Sequence, residues 1–436
     1  MNTSAHRVVP LLPEQRRFLT RGLPGAHHWN QVALYSIPGE LTADLVASAM
    51  RWVVNRHEGL RLRLGEDGGT SGTGVVEPEL EQFPVDDVDL SSATDPDALT
   101  AYCTRAQESL RLDQAPMIRV SRIAWRDNSF RLLMVVHHYV ADGVGFGVLA
   151  GEFETACRAL LAGHPFPEAQ PTVGAHEYAA WLHAYAHDQD IVEQQATWLK
   201  IGRPSPPVPL EKPGENTMAT TEIATVAMTR DETSALIRTA SVRGRTSGTL
   251  ETVIAALIPI LDNGSGRMKT NMIGHGRHGL PGQPQVRRTA GWLSTRYPVN
   301  LEITPGDSLL AQRDSIGEQI AAVPMAGTGF GLLRYMNDDL SLREELAAIG
   351  EPDVTVNYQG RIRPTDPSAL LQPAPESAGP DETSTGLREH VHGVDLIVDD
   401  GQFTVVWFFS TNQFSFDTIT GYATELCDRL RSGLKL

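Results

Sequence analysis

A chain of 436 residues, 41% hydrophobic and 21% charged, is long enough for two substantial cores and too balanced in composition for a disordered or fibrous protein. Its formal charge of -16 argues against a generally basic nucleic-acid surface. Cys103, Cys157 and Cys427 are too few and too scattered for a disulfide framework or a cysteine-rich metal site; with no long apolar run and no basic leader ahead of an apolar segment, the simplest reading is a cytoplasmic protein with no membrane or nucleic-acid partner.

Helix signals come first along the chain. Pro13 precedes a short helix starting over Glu14 to Phe18, and Leu41 to Arg56 has the spacing of a helix with one buried face. The polar run Gly65 to Gly74 reads as a solvent loop, since it lacks the lysine and strand-turn-helix context of a phosphate cradle. Arg131 to Val136 ends in five apolar residues, a buried-strand pattern, and Phe146 to Ala156 reads as an amphipathic helix. Tyr178 and Trp181 fall on a further helix, and Gln194 to Leu199 on that helix or the next.

The run Gly202 to Gly214, rich in proline and glycine, marks the expected lobe boundary, giving domains 1–201 and 202–436. Beyond it, Glu222 to Met228 alternates as a strand, while Asp231 to Ser241 and Leu250 to Leu261 read as helices, with Pro259 a kink or an end in the second. Thr270 to Gly279 reads as a strand running into a charged loop. Val354 to Tyr358 and Phe403 to Phe409 are further strands, and Phe416 to Leu430 is a terminal helix. Gly327, Gly329 and Gly331 read as a turn. The pattern is of two mixed α/β lobes.

The residues with chemistry cluster where the Arg131 strand meets the Phe146 helix. His138 is the candidate general base: a neutral imidazole can take a proton from an amine or alcohol near neutral pH. Adjacent residues on a strand point to opposite faces, so His137 is assigned to structural support. Asp142 either orients His138 or pairs with Arg277; the pairing is preferred. Gly143 permits close approach of a substrate or offers its N–H to a developing oxyanion. A metal site built from His137, His138, Asp142, His275 and His278 lacks a zinc spacing and is the lesser reading; no metal is expected. In the second half, Trp292 and Tyr297 read either as substrate-channel walls or as packing anchors, and Asn357 and Tyr358 either position a thioester or end a strand.

The segment HHYVADG resembles the signature of the condensation-domain superfamily of nonribosomal peptide synthetases. PLLPEQRRFL at 10–19 and RHEGLRLRL at 56–64 are similar to the family's N-terminal motifs, and Tyr178 and Trp181 lie in a segment like its middle pattern. The second half resembles the epimerisation branch through GHGRHG at 274–279, RTAGWLSTRYPVNL at 288–301, MAGTGFGLLRY at 325–335 and VNYQGR at 356–361. The resemblance implies two chloramphenicol-acetyltransferase-like lobes forming a central substrate channel, with Tyr178, Trp181, Ile273, His275, Trp292, Tyr297, Asn357 and Tyr358 as channel candidates. One departure matters. The epimerisation branch carries a glutamate immediately before GHGR, and this chain has Ile273, which cannot carry a proton.

The expected activity is therefore carrier-dependent acyl transfer in natural-product and antibiotic biosynthesis. His138 and Gly143 would serve catalysis, supported by His137, Asp142 and Arg277. An acyl or aminoacyl thioester would arrive on the phosphopantetheine of an acyl or peptidyl carrier protein, with no intrinsically bound cofactor. An amine or alcohol acceptor, itself carrier-bound or free, would take the acyl group to give an amide or ester. Peptidyl or aminoacyl epimerisation is the alternative, and non-catalytic carrier docking a third reading. With no adenylation or carrier module evident, the chain reads as a free-standing enzyme or an excised domain working with a carrier in trans.

Overall fold

The computed structural model describes residues 6–168, 172–201, 207–241, 248–262, 264–277, 279–362 and 365–435. The chain divides into two compact units, and the division is not a single cut. The first unit is Met1–Tyr185 together with His275–Ser294 and Thr365–Thr383; the second is Ala186–Gly274, Thr295–Pro364 and Ser384–Leu436. The boundary expected at 201/202 therefore differs from the observed one. Positions 202–206 of the expected linker lie outside the described residues, and the helix Gln195–Ile201 belongs to the second unit. Two later stretches return to the first unit because it holds their hydrogen-bonding and packing partners, which a linear reading of punctuation cannot show.

The first unit is built on a five-stranded sheet in the order Gln372–Pro373, Asn30–Ile37, Phe130–His137, Ile118–Ala124, Asp86–Asp89. Its central strand is apolar from Leu132 to Val136 because both faces are covered there. Leu132, Met134 and Val136 join one core with Val46, Met50 and Val53 of the helix Ala43–Arg56 and Leu149 and Phe153 of the helix Gly143–Leu161. Leu133 and Val135 join the opposite core with Leu99, Cys103 and Ala106 of the helix Ala98–Glu108. Thr42 caps the Ala43 helix, its side chain accepting from Leu45 N at 3.4 Å, and burial recurs at 46, 49, 50, 53 and 54 as a 3.6-residue period requires. A smaller sheet joins Arg7–Pro10, Thr73–Val76 and Leu62–Leu64.

The second unit carries a six-stranded sheet in the order Thr295–Glu302, Arg267–Gly274, Val354–Arg361, His392–Asp399, Gln402–Ser410, Thr221–Ala227. Only Val354–Arg361 runs parallel to its neighbours. Phe403, Val405, Trp407 and Phe409 alternate onto the buried face, as do Val394, Leu396 and Val398. The helix Phe416–Leu434 buries Ile419, Ala423, Leu426 and Leu430. Pro259 sits in the last turn of the helix Thr249–Leu261, which stops two residues later.

One local expectation is overturned. The segment around Gly327, Gly329 and Gly331 is a helix, Thr328–Tyr335, rather than a turn. Gly327 stands just before it at a φ of 86°, and a Cβ there would overlap the Tyr297 ring. Glycine is needed at that one position for both reasons.

No helix among the described residues is long and apolar enough to cross a membrane. Cys103, Cys157 and Cys427 are buried free thiols, and desolvation pushes them up to about 12, 12 and 11, well away from thiolate chemistry.

Candidate active site

His138 opens a short 3-10 turn, His138–Val140, between the central strand and the Asp142-capped helix. Its backbone N–H donates to Trp29 O at 2.8 Å, so the strand pairing runs one residue past His137. Its ring is partly exposed and lies 4.3 Å from the Trp292 ring, centroid to centroid. The indole flanks the ring and its Nδ1 is buried, so the part of the imidazole left to meet a substrate is its partly exposed edge.

His137 does the opposite. It is fully buried, its Nδ1 accepts from Tyr139 N at 3.0 Å, and its Nε2 faces Ala26 O at 2.9 Å. The first contact fixes Nδ1 as an acceptor, so Nε2 carries the proton and donates it to the carbonyl. Desolvation holds the ring neutral, with a pKa down at about 3.

Asp142 accepts five hydrogen bonds. Its Oδ1 caps the following helix at Gly145 N, 2.7 Å away, and accepts from an Arg277 guanidinium nitrogen at 3.0 Å. Its Oδ2 accepts from Arg277 at 2.9 Å, Leu293 N at 3.0 Å and Ser294 N at 2.9 Å. Arg277 itself donates further to His275 O and Thr289 O. The carboxylate is saturated, and it is committed to this pair rather than to orienting His138. Asp142 thus pins the returning segment to the turn that carries His138.

Gly143 is the exposed first residue of the helix Gly143–Leu161, with Gln31 Oε1 3.8 Å from where a Cβ would stand. The helix N-terminus presents N–H groups and positive potential, the feature a developing oxyanion needs.

The remaining candidates separate by unit. In the first, Trp181 stacks between Tyr178 and Tyr185, at centroid distances of 5.8 and 4.7 Å. Tyr178 is buried, accepts from Gln283 at 2.8 Å, donates to Gly276 O at 3.4 Å, and is pushed up to about 12 by burial. These contacts tie it to the returning segment. His275 is exposed, accepts at Nδ1 from Arg277 N at 3.0 Å, and is lowered by desolvation and by Arg277. Trp292 is both core residue and neighbour of His138. Gly276, at a φ of 66°, has no room for a Cβ, which would overlap the Leu293 carbonyl. Position 278 lies outside the described residues.

In the second unit Tyr297 is a packing anchor, one of the two readings open from sequence, rather than a channel wall. It is 6% exposed, pushed up to about 12 by burial, and packed against Trp198 and Gly327. Ile273 pairs directly with Arg296, and Asn357 with Asp395, on the sheet face opposite Tyr297. Asn357 and Gln359 donate to Asp395 Oδ2 at 3.4 and 2.7 Å, and burial raises the Asp395 carboxyl. Tyr358, next along the strand, is partly buried on the other face.

Sequence reasoning missed several of these residues. Asp395 is a lone carboxyl inside the apolar run 392–398, and that placement was its signal. Glu152, buried midway along the Gly143 helix, holds Arg56, His57 and Arg288. Burial opposes its charge, but hydrogen bonds from His57 and Arg288 and the Arg56 charge bring it down to about 2. Among the described residues, Glu351, Glu389 and His390 have metal-ligand spacing, yet Arg296 already donates to Glu389 at 2.9 Å and lies 3.0 Å from His390 Nε2.

The fold and these sites can be set beside known proteins. The chain is 30% identical over 439 residues to chondramide synthase cmdD of Chondromyces crocatus, covering 97% of this chain but only 11% of that protein. It spans a similarly small part, 12%, of tyrocidine synthase 2 of Brevibacillus parabrevis, at 24% identity over 95% of this chain. It overlays the epimerization domain from the third module of tyrocidine synthetase B with a TM-score of 0.88, at 22% identity, over 99% of this chain and 98% of that one. The first condensation domain of the calcium-dependent antibiotic synthetase, solved with a substrate analogue, overlays at 0.73 and 20% identity, over 98% and 97%. The α/β fold with two chloramphenicol-acetyltransferase-like lobes is thus shared with both. The family model for the condensation domain matches residues 5–434, and the chain belongs to that family of catalytic nonribosomal peptide synthetase domains.

Proposed function

We propose that this domain acts on an aminoacyl or peptidyl group held as a thioester on the phosphopantetheine of a carrier protein, and that its net reaction is epimerisation at the α-carbon. The observation that carries this reading is the overlay on an epimerization domain at a TM-score of 0.88, against 0.73 for a condensation domain. The sequence alone favoured acyl transfer; the fold comparison supports its alternative better.

In the epimerase reading, the imidazole of His138 takes the α-proton, the C–H bond breaks, and the electron pair moves onto the thioester carbonyl as an enolate. N–H groups at the start of the Gly143 helix stabilise that oxygen. Return of a proton to the opposite face completes inversion, and a residue other than Ile273 must deliver it.

The isoleucine itself favours the second reading. Condensation needs one base: His138 takes the proton of an amine or alcohol as it attacks the thioester carbonyl, the C–S bond breaks, and the carrier thiol leaves with a proton. The two are separable in D2O with carrier-bound aminoacyl and peptidyl thioesters, read by intact mass. Deuterium entering the α-carbon while the acyl group stays on the carrier supports epimerisation; transfer to an added amine or alcohol without exchange overturns it in favour of condensation. His138→Ala is expected to lower the rate at least about a hundredfold, and unchanged turnover removes His138 as the base. Ile273→Glu sets a carboxylate directly across from Arg296 and is expected to raise the exchange rate.

A further inference from the structure

Beside the start of the Gly143 helix stands Gln31, whose Oε1 is the atom within 4 Å of a Cβ placed at Gly143. It lies on the strand Asn30–Ile37, paired with Val136, and Trp29 two residues earlier pairs with His138 through its carbonyl. Residues two apart on a strand share a face, and residues directly paired across antiparallel strands share one too. Trp29, Gln31, Val136 and the His138 turn therefore belong to the face covered by Trp292 and the Gly143 helix.

The neighbouring polar side chains are committed elsewhere. Asn30 is buried and donates to Gln107 O at 3.3 Å, and Asp142 is saturated by Arg277 and backbone N–H groups. Gln31 is only partly buried, and among the described residues its amide makes no hydrogen bond. Its Oε1 is 3.8 Å from the space left by the missing Gly143 side chain. An alanine at 143 would meet that amide at ordinary van der Waals distance.

We propose that Gln31 holds the substrate by its peptide group, its carboxamide pairing with an amide of the acyl chain as His138 works on the α-carbon, so that the preferred substrate is a peptidyl, N-acylated thioester rather than a free aminoacyl one. This rests on the epimerase reading. The chemistry selects the class: a neutral carboxamide offers one donor side and one acceptor side and so complements an amide, whereas a free α-ammonium has donors only and calls for a carboxylate.

The test compares wild type, Gln31→Leu and Gln31→Glu on carriers loaded with a dipeptidyl or an aminoacyl thioester, reading α-deuterium incorporation. Binding of a non-hydrolysable dipeptidyl-pantetheine amide is measured separately by calorimetry. Gln31→Leu is expected to raise KM for the dipeptidyl carrier and weaken the analogue about tenfold, the worth of a hydrogen bond or two. Gln31→Glu is expected to shift the peptidyl-to-aminoacyl preference toward the free amine, which a merely structural role would not do. Thermal melts matching wild type exclude misfolding. Wild-type affinities and preferences in both variants overturn the proposal. If wild type shows no exchange at all, the epimerase reading fails, while the calorimetric comparison still decides whether Gln31 binds the peptide group.

Discussion

Two imidazoles, His137 and His392, are sealed from water in separate units, and each is lowered by desolvation to about 3. Each ring also accepts at Nδ1, from Tyr139 N and from Trp407 Nε1 at 3.1 Å. A group whose folded pKa lies below its unfolded value takes up its proton preferentially in the unfolded chain. Above about pH 6.5 the effect vanishes; as pH falls from there toward 3, stability is lost by about 1.4 kcal/mol per unit per histidine. Denaturant melts across that window are expected to show the decline, with a shallower slope in His392→Phe. The variant also strands the Trp407 donor, so the slope and not the plateau is the readout; an unaltered slope would mean His392 is not held neutral. These two histidines differ in legibility. His137 ends a strand marked by an apolar run, whereas His392 opens a strand whose apolar alternation Asp395 interrupts.

At the scale of elements, the central strand and the body of the helix Gly143–Leu161 were legible because each obeys a local rule, an apolar run where both faces are buried and an amphipathic period from Phe146; the helix's start, three residues earlier behind the Asp142 cap, was not. The strands Thr295–Glu302 and His392–Asp399 were not legible as strands, since Arg296, Pro298 and Asp395 interrupt their apolar alternation. Those interruptions make sense only when the neighbouring strands supply Ile273, Asn271 and Asn357 opposite them. The ion pair joining Asp142 to Arg277 is 6% and 5% exposed at its side chains, and removing one partner leaves a buried charge. Arg277→Ala is expected to destabilise the first unit by about 3 kcal/mol or more, and Arg277→Lys to restore only part, because a lysine cannot make the two-pronged contact. A wild-type melting curve for Arg277→Ala would show that the pair does not hold the segment.

At the scale of the whole molecule, the first unit is discontinuous: Thr365–Thr383 contributes the edge strand Gln372–Pro373 and His275–Ser294 contributes Trp292, Ala290 and Arg277. A fragment of residues 1–201, the lobe a linear reading suggests, would lack all of these. It is expected to show secondary structure in far-ultraviolet dichroism without a cooperative thermal transition, and a sharp transition in that fragment would refute the dependence. The same discontinuity sets a clock on synthesis. At about 5–20 residues per second, the ribosome needs roughly 10 to 40 seconds to travel from Tyr185 to Thr383. Until His275–Ser294 emerges the nascent chain presents an apolar face without Trp292 and an aspartate without its cation, and the edge of its sheet stays open until Thr365–Thr383 follows, so chaperone occupancy during translation should rise after residue 185, fall in part after residue 294 and fall fully only once the second returning stretch has emerged.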